Sequence, residues 1–332
     1  MEKLRTAIVG FGFMGKTHAL NILKSDLMTL AAVVDKRPDA LTAQTGGNID
    51  TGTFDAGALD NVKLYASTED CLNSEQIDLV YVCVHTPAHF ETAMTALRHG
   101  ANVFIEKPFV IDVSEGISLI SEARNRNLQL GVAHVVRFMA PYMQLKRICD
   151  EGIYGKLRFL SLTRFAGVPG WGDWLKMQRD FGKSGGALFD LVIHDVDFAR
   201  YLLGEPDEIH ATILPGLLSR HDYVCTFWDY PGRDLHVKIE GGNTFPSNFP
   251  FEASYKAVFR DATLMWTSNA GSEIKVITDD AVTSIPLGDA TDGYRDEGQY
   301  FAKCILNRQF PATCSAQSSL DTVKICHRLA DI

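Results

Sequence analysis

The sequence predicts an α/β chain in two parts, a doubly wound parallel sheet followed by a larger, mostly antiparallel one, and three observations carry that expectation. The chain has 332 residues, more than the roughly 250–300 at which one hydrophobic core stops growing. From residue 4 to about residue 134, short β-branched apolar runs alternate with segments of helical period, the pattern of a parallel sheet covered on both faces. After about residue 157, long strands with alternating apolar and polar positions dominate, as in an antiparallel sheet covered on one face. We therefore expect domains at 1–134 and 135–332.

The elements follow in order. Thr6–Gly10, Leu30–Asp35, Asp78–Val84, Asn102–Ile105 and Leu128–Val132 read as strands of the first sheet. After Pro87, the apolar residues Phe90, Ala93, Met94 and Leu97 recur with helical spacing. Thr86 is placed as N-cap, Pro87 as the first helical residue and Gly100 as the stop. The stretch Gln44–Asn61 is rich in Gly, Asp and Thr, has neither period, and reads as a surface excursion. A helix is expected over Ala140–Glu151. Strands follow at Leu157–Phe165, Tyr223–Tyr230, Leu235–Glu240, Ser254–Arg260, Ala262–Thr267 and Glu273–Thr278. In Asp234–Glu240, Leu235, Val237 and Ile239 face one side and His236, Lys238 and Glu240 the other. A helix over Gly186–Leu203 interrupts this series, and two more close the chain around Tyr294–Leu306 and Ser318–Leu329.

Thirty-two Lys and Arg against forty-one Asp and Glu leave a charge of −9, which excludes a general polyanion surface for nucleic acid or acidic lipid. The seven cysteines are odd in number and scattered without a CxxC, so reduced thiols are expected rather than disulfides or zinc. The N-terminus does not read as a signal peptide, and no run approaches the 18 or so apolar residues of a membrane span. The expected location is the cytoplasm.

Gly10-Phe11-Gly12-Phe13-Met14-Gly15 is a G-x-G-x-x-G between a strand and a helix. Gly10 permits the tight turn, Gly12 lets the backbone approach a pyrophosphate, and Gly15 allows the helix to pack closely on the strand. The helix start, with Phe13 and Met14, offers N–H groups to phosphate. Asp35 ends the next strand twenty residues after Gly15, where a carboxylate accepts from an adenosine ribose. Together these predict a Rossmann domain holding a dinucleotide. Asp35 favours NAD, and Lys36 and Arg37 beside it leave NADP possible, although both also read as ordinary surface cations.

Glu106-Lys107-Pro108 and Thr86-Pro87 end two strands at the carboxyl edge of the sheet, where open α/β folds place ligands. Lys107 there suits an oxygen-polarising role, or proton transfer if burial and a nearby cationic nicotinamide lower its pKa. The glycine turn Ser184–Gly186 leads into a largely apolar helix on which Asp190 and His194 share a stripe that Asp197 continues. Buried charge is costly unless paired or used, and an aspartate beside a histidine suits general acid/base work near neutral pH. His210, His221 and His236, on strand segments, read as structural. His85 and His89 flank Pro87 without a third ligand, so no metal site is expected.

The glycine turn, the TP and EKP segments, the run Val136–Phe138, SGGALFDLVIHDVDFARYLLG and a late YRDEGQYF together resemble the Gfo/Idh/MocA oxidoreductase family over essentially the whole chain. The resemblance implies an NAD(P)-dependent dehydrogenase acting on sugars, inositols or related polyols. It assigns Lys107 as catalytic lysine and Asp190 with His194 as catalytic pair. It also implies a C-terminal α/β domain on a large, mostly antiparallel sheet, and a homodimer or homotetramer formed through that sheet's open face. The chain departs from the family after Thr86-Pro87, where Ala88 and Glu91 stand in place of a frequent Asn and a His three residues on. Candidate substrate contacts are Arg137, Trp171, Trp174 and Tyr294, since tryptophan faces suit C–H patches of sugar rings and the other two donate to hydroxyls. An NAD-dependent glycosidase with transient oxidation and a non-catalytic sugar or dinucleotide sensor are the alternatives.

Overall fold

A computed structural model describes residues 2–37, 39–41, 56–59, 61–169, 184–288 and 292–331, with backbone alone at 56 and 58. Trp171, Trp174 and most of the 44–61 excursion lie outside the described residues. The chain divides into two compact units, one of residues 1–135 with 294–323 and one of 136–293 with 324–332.

In the first unit, β1 (Leu4–Val9), β2 (Met28–Val34), β3 (Lys63–Tyr65), β4 (Leu79–Val82), β5 (Asn102–Glu106) and β6 (Leu130–Ala133) form one sheet in the order β3-β2-β1-β4-β5-β6. Every pair in it is parallel. β1, β2, β4, β5 and β6 are buried almost continuously, as a sheet covered on both faces requires. β3 was not among the expected apolar runs because its three residues are half-exposed or exposed. The crossovers carry α1 (Phe13–Leu23), α2 (Thr68–Ser74), α3 (His89–Arg98) and α4 (Val113–Asn125). One detail differs from expectation. Thr86–Ala88 is a separate tight 3-10 turn with His85 at its cap position, and α3 starts at His89. Pro87 fixes φ within that turn, and Gly100, at φ +86°, follows the end of α3.

The second unit begins with α5 (Ala140–Glu151) and β7 (Leu157–Gly167). A wide π-helical turn at Leu188–Val192 runs into α6 (Ile193–Leu203), and β8 (Glu208–Leu214), β9 (Tyr223–Tyr230), β10 (Leu235–Phe245), β11 (Glu252–Phe259), β12 (Thr263–Thr267), β13 (Glu273–Ile277) and β14 (Val282–Pro286) follow. They form an eight-stranded sheet in the order β14-β13-β12-β11-β7-β10-β9-β8. β7 and β10 run parallel; the other pairs are antiparallel. β8 and β14 were not in the expected set. Both are edge strands, half-exposed or exposed throughout, so burial imposes no clean apolar alternation on them.

The inner face of this sheet is a core of Leu160, Leu162, Val224, Trp228, Val237, Ile239, Tyr255 and Ala257, all nearly inaccessible to solvent. Tyr142 on α5 packs edge-on to Tyr255 and to Phe198 on α6, which docks both helices on that face. The outer face carries Ser161, Thr163, Phe165, Tyr223, Cys225 and Lys238, all half-exposed, with Phe227 and His236 exposed.

The chain closes with α7 (Gly293–Leu306) and α8 (Ala316–Ala330), and residues 294–323 belong to the first unit. The division after residue 134 falls one residue from the observed break, but the expectation that everything beyond it forms the second domain is corrected. Phe301 on α7 stacks on Phe104 of β5 with centroids 4.9 Å apart. A Cβ on Gly131 would stand 2.6 Å from Phe301, and one on Gly116 2.6 Å from Leu320 of α8. A parallel sheet needs both faces covered, and here the distant helices supply part of the cover. No described helix is long and apolar enough to cross a membrane.

Candidate active site

Each glycine of the turn after β1 is required for a different reason. Gly10 takes φ +90°, and a Cβ there would meet the Cys83 carbonyl at 2.6 Å. A Cβ on Gly15 would lie 2.1 Å from the Gly10 carbonyl oxygen. Around Gly12 a Cβ would meet nothing within 4 Å. The first and third positions are closed by the protein itself, and the second opens on free space. Gly12 caps α1 without a side chain of its own to bond the helix start, so the N–H groups of Phe13 and Met14 at its positive end suit a phosphate.

Asp35 follows β2 and ties this turn down. Its Oδ2 accepts from the Phe11 N–H at 2.8 Å and its Oδ1 from the Arg37 N–H at 2.9 Å. The Arg37 guanidinium folds back on the same carboxylate at 3.3 Å. Burial pushes the Asp35 carboxyl up, but the Arg37 and Phe11 hydrogen bonds and the Arg37 charge outweigh it and hold the group below its ordinary value. Arg37 is therefore paired rather than merely solvated, while Lys36 is exposed. Lys16, which the sequence reading overlooked, is buried on α1 with its ammonium 5.8 Å from the Phe11 ring centroid. Burial first, then Arg37, lowers its pKa.

Glu106 is the last residue of β5, and Lys107, half-buried, follows it. The Lys107–Pro108 peptide is cis. Two buried histidines anchor this corner. Nε2 of His18, on α1, lies 2.7 Å from Oε1 of Glu106. A Glu297 carboxylate oxygen comes within 4.8 Å of a ring nitrogen of His18 and a carboxylate oxygen of Glu106, and the Tyr294 ring stands edge-on to His18 at 6.3 Å. His89, the first residue of α3, places Nδ1 3.0 Å from the Pro108 carbonyl and Nε2 3.0 Å from the Val84 carbonyl. One imidazole thus bridges the chain just before Thr86-Pro87 to the chain just after Lys107. Both ring nitrogens face backbone, which accounts for His89 without a metal. Neither histidine was singled out for this work, because the signal is a contact between strand ends far apart in sequence.

In the second unit, the helical stretch from Gly186 to Ala199 is fully buried except at two residues, Asp190 and His194. The other two acids on it are consumed inside. Asp195 receives Arg164 of β7 at 2.8 and 3.1 Å, with the Tyr142 hydroxyl on the same guanidinium. Asp197 receives Nε of Arg137 at 2.7 Å and also Nη2. The stripe expected to run Asp190–His194–Asp197 is thus split, and Asp197 leaves it. Arg137 is corrected with it: its side chain is wholly buried and stacks its guanidinium 4.6 Å from the Tyr201 ring centroid, so it braces α6 instead of reaching for a hydroxyl. Asp190 sits within the wide turn, a distortion often found at functional sites.

The helix start is fixed by the glycine pair and by a buried acid absent from the sequence reading. Gly185 and Gly186 have φ of +89° and +65°, and a Cβ on Gly186 would clash with Ser219. Asp222 accepts from the N–H groups of Leu218 and Ser219 at 2.8 and 2.9 Å and so shapes the loop against that turn.

The chain matches the model of an oxidoreductase family with NAD-binding Rossmann fold over residues 4–134 and that of the GFO/IDH/MocA C-terminal domain over 142–241. It is 28% identical over 205 residues to myo-inositol 2-dehydrogenase of Thermotoga maritima, a match covering 62% of this chain and 56% of that protein. The match thus spans little more than half of that relative's length. Against scyllo-inositol 2-dehydrogenase (NAD(+)) of Bacillus subtilis it is 24% identical, covering 96% of this chain and 91% of the relative. Among solved structures, UDP-N-acetylglucosamine 3-dehydrogenase from Acidithiobacillus ferrooxidans superposes with a TM-score of 0.78 at 21% identity over 99% of this chain and 97% of that one. An oxidoreductase from Agrobacterium radiobacter in complex with NAD+, L-tartaric acid and magnesium gives 0.80 at 16% identity over 99% and 96%. With both family domains matched in order, the chain belongs to the GFO/IDH/MocA oxidoreductases, and its first unit is their NAD-binding Rossmann fold.

Proposed function

We propose that the protein is an NAD-dependent dehydrogenase that oxidises a secondary alcohol of a cyclic polyol or sugar. The observation that carries this reading is the isolation of Asp190 and His194 as the two part-exposed positions of an otherwise buried helical stretch. They put an acid and an imidazole at the two positions of that stretch that solvent reaches. The inositol and sugar dehydrogenases among the relatives support the substrate class.

The residues fit the cofactor. Gly12 leaves room for a pyrophosphate on the N–H groups of Phe13 and Met14, Asp35 offers acceptors to a ribose, and Thr86, Pro87 and Glu106 lie at the carboxyl edge of the sheet. Bound NAD supplies the hydride acceptor. The hydroxyl proton passes to His194, which Asp190 orients and whose imidazolium it stabilises. Lys107 donates to the same oxygen and stabilises the alkoxide as the carbon loses its hydride. The products are a ketone, reduced cofactor and one proton. Tyr294, with Trp171 and Trp174, completes the proposed substrate contacts. Asp35 disfavours a 2′-phosphate, so NAD is preferred, with measurable NADP use through Lys36 and Arg37.

A panel of polyols and aldoses read by NADH absorbance, run beside nitrophenyl glycosides, tests the reading. Stoichiometric NADH with a polyol is expected; glycoside cleavage without net NADH makes the protein a glycosidase, and ligand binding without either makes it a sensor. Lys107→Met and His194→Ala should keep NAD affinity while lowering kcat by roughly 10²–10⁴. Full turnover in either variant rejects the assignment.

A further inference from the structure

The outer face of the second unit's sheet carries a cluster that the proposed reaction does not use. Glu208 on β8, Asp229 on β9 and His236 on β10 are register partners across three adjacent strands, so the pleat turns all three side chains to one face. His210 stands two residues beyond Glu208 and faces the same way. Nδ1 of His236 bonds to Oδ1 of Asp229. Nε2 of His210 lies 3.8 Å from Oε2 of Glu208 and 4.0 Å from Oδ2 of Asp229. His210 and His236, which the sequence suggests are structural, have side chains 67% and 57% exposed.

Two features call for a cation here. Glu208 and Asp229 are like charges directly opposite one another, a destabilising arrangement. Among the described residues, the basic groups within ion-pair distance of them are these two histidines and no lysine or arginine. The donor set also specifies which cation. An imidazole beside two carboxylates suits a borderline transition-metal dication, whereas Mg2+ and Ca2+ prefer oxygen almost alone. Tetrahedral zinc places neighbouring donors about 3.3 Å apart; one ligand atom from each of Glu208, His210 and Asp229 lies within 4.8 Å of the others, and exposed side chains reach the closer spacing by small torsional changes.

We propose that Glu208, His210 and Asp229 form a site for a zinc-like divalent transition-metal ion, with His236 holding the Asp229 carboxylate as its outer-shell partner. The ion staples β8, an edge strand paired only with β9, to the Asp229 carboxylate that His236 ties to β10. All three ligands come from one chain, so no second copy is needed.

The full chain, stripped with chelator, is titrated with Zn2+ by calorimetry and with Co2+ in the visible range. One ion per chain is expected, with a rise in Tm at saturating Zn2+ and a tetrahedral Co2+ spectrum lacking a thiolate charge-transfer band. That last feature separates this site from any binding by cysteine. The exposed double variant H210A/H236A should keep the metal-free Tm and lose at least about 100-fold in affinity, since even outer-shell losses cost 10–100-fold. No Zn2+ bound at millimolar concentration, a thiolate band, or equal affinity in the variant overturns the proposal.

Discussion

Gly10, Gly12 and Gly15 lie within six residues, yet the space around them separates folding from binding. Gly12→Ala meets no protein atom and should leave stability within about 0.5 kcal/mol of the parent while weakening NAD, read by nucleotide fluorescence. Gly15→Ala drives a Cβ into the Gly10 carbonyl and should lower Tm whether or not NAD is present. The reverse ranking would show that the open space is not a cofactor cradle. His89 carries a different expectation. Burial pulls its imidazole below the ordinary value, against the Val84, Phe109 and Pro108 carbonyls and Glu106, which pull upward. The unfolded chain, with a histidine near 6.5, therefore takes up the proton first as pH falls. The contribution of His89 to stability is full above about pH 6.5 and is lost as pH drops through the lower folded value. His89→Gln should be less stable at pH 7.5 and lose less Tm between pH 7.5 and 5; parallel Tm–pH curves contradict this. Because His89 bridges Val84 and Pro108, the variant should also change kcat more than KM for NAD.

At the scale of elements, α6 and the wide turn before it show what periodicity can and cannot carry. The spacing of Asp190 and His194 and the glycine turn ahead of them were legible, since both are local. The fate of Asp195 and Asp197 was not. Each is settled by an arginine far along the chain, Arg164 on β7 and Arg137 before α5, and a helical wheel contains neither. Removing one partner of such a pair strands a buried charge. Asp197→Ala should cost about 3–5 kcal/mol in urea unfolding, whereas Asp190→Asn, at a half-exposed position on the same stretch, should stay within about 0.5 kcal/mol and reduce turnover. Equal losses of stability would remove the distinction between the bracing acids and the reactive one. Edge strands β8 and β14 escaped the sequence for the opposite reason: little is buried there, so little pattern is written.

On the scale of the whole molecule, the first unit is assembled from two distant stretches. Residues 1–135 expressed alone lack the Phe301 and Leu320 cover that Gly131 and Gly116 are shaped to receive. That fragment should unfold non-cooperatively and bind a hydrophobic dye; joined by a linker to 294–323, it should recover a cooperative transition. Cooperative unfolding of 1–135 by itself would refute the dependence. The outer face of the second sheet, with half-exposed Phe165 and Tyr223 beside exposed Phe227, is of the kind that a second copy covers. Light scattering should report a dimer or tetramer, and a monomeric mass would leave that face to water.

The sequence by itself determined what depends on neighbours along the chain: the strand–helix alternation, the three glycines with Asp35, the lysine at the end of β5, and the Asp190–His194 spacing. It also carried the family, since those segments stand in family order. Tertiary structure alone decided which of these groups stay accessible and which are spent inside. It turned Arg137 from a substrate donor into a brace, drew His18 and His89 in beneath the Lys107 corner, returned residues 294–323 to the first sheet, and set two strand histidines beside two carboxylates on an exposed face. The physical reason is common to all four. Burial and pairing depend on which distant segments meet, and a local pattern records the demand for a partner without recording who answers it.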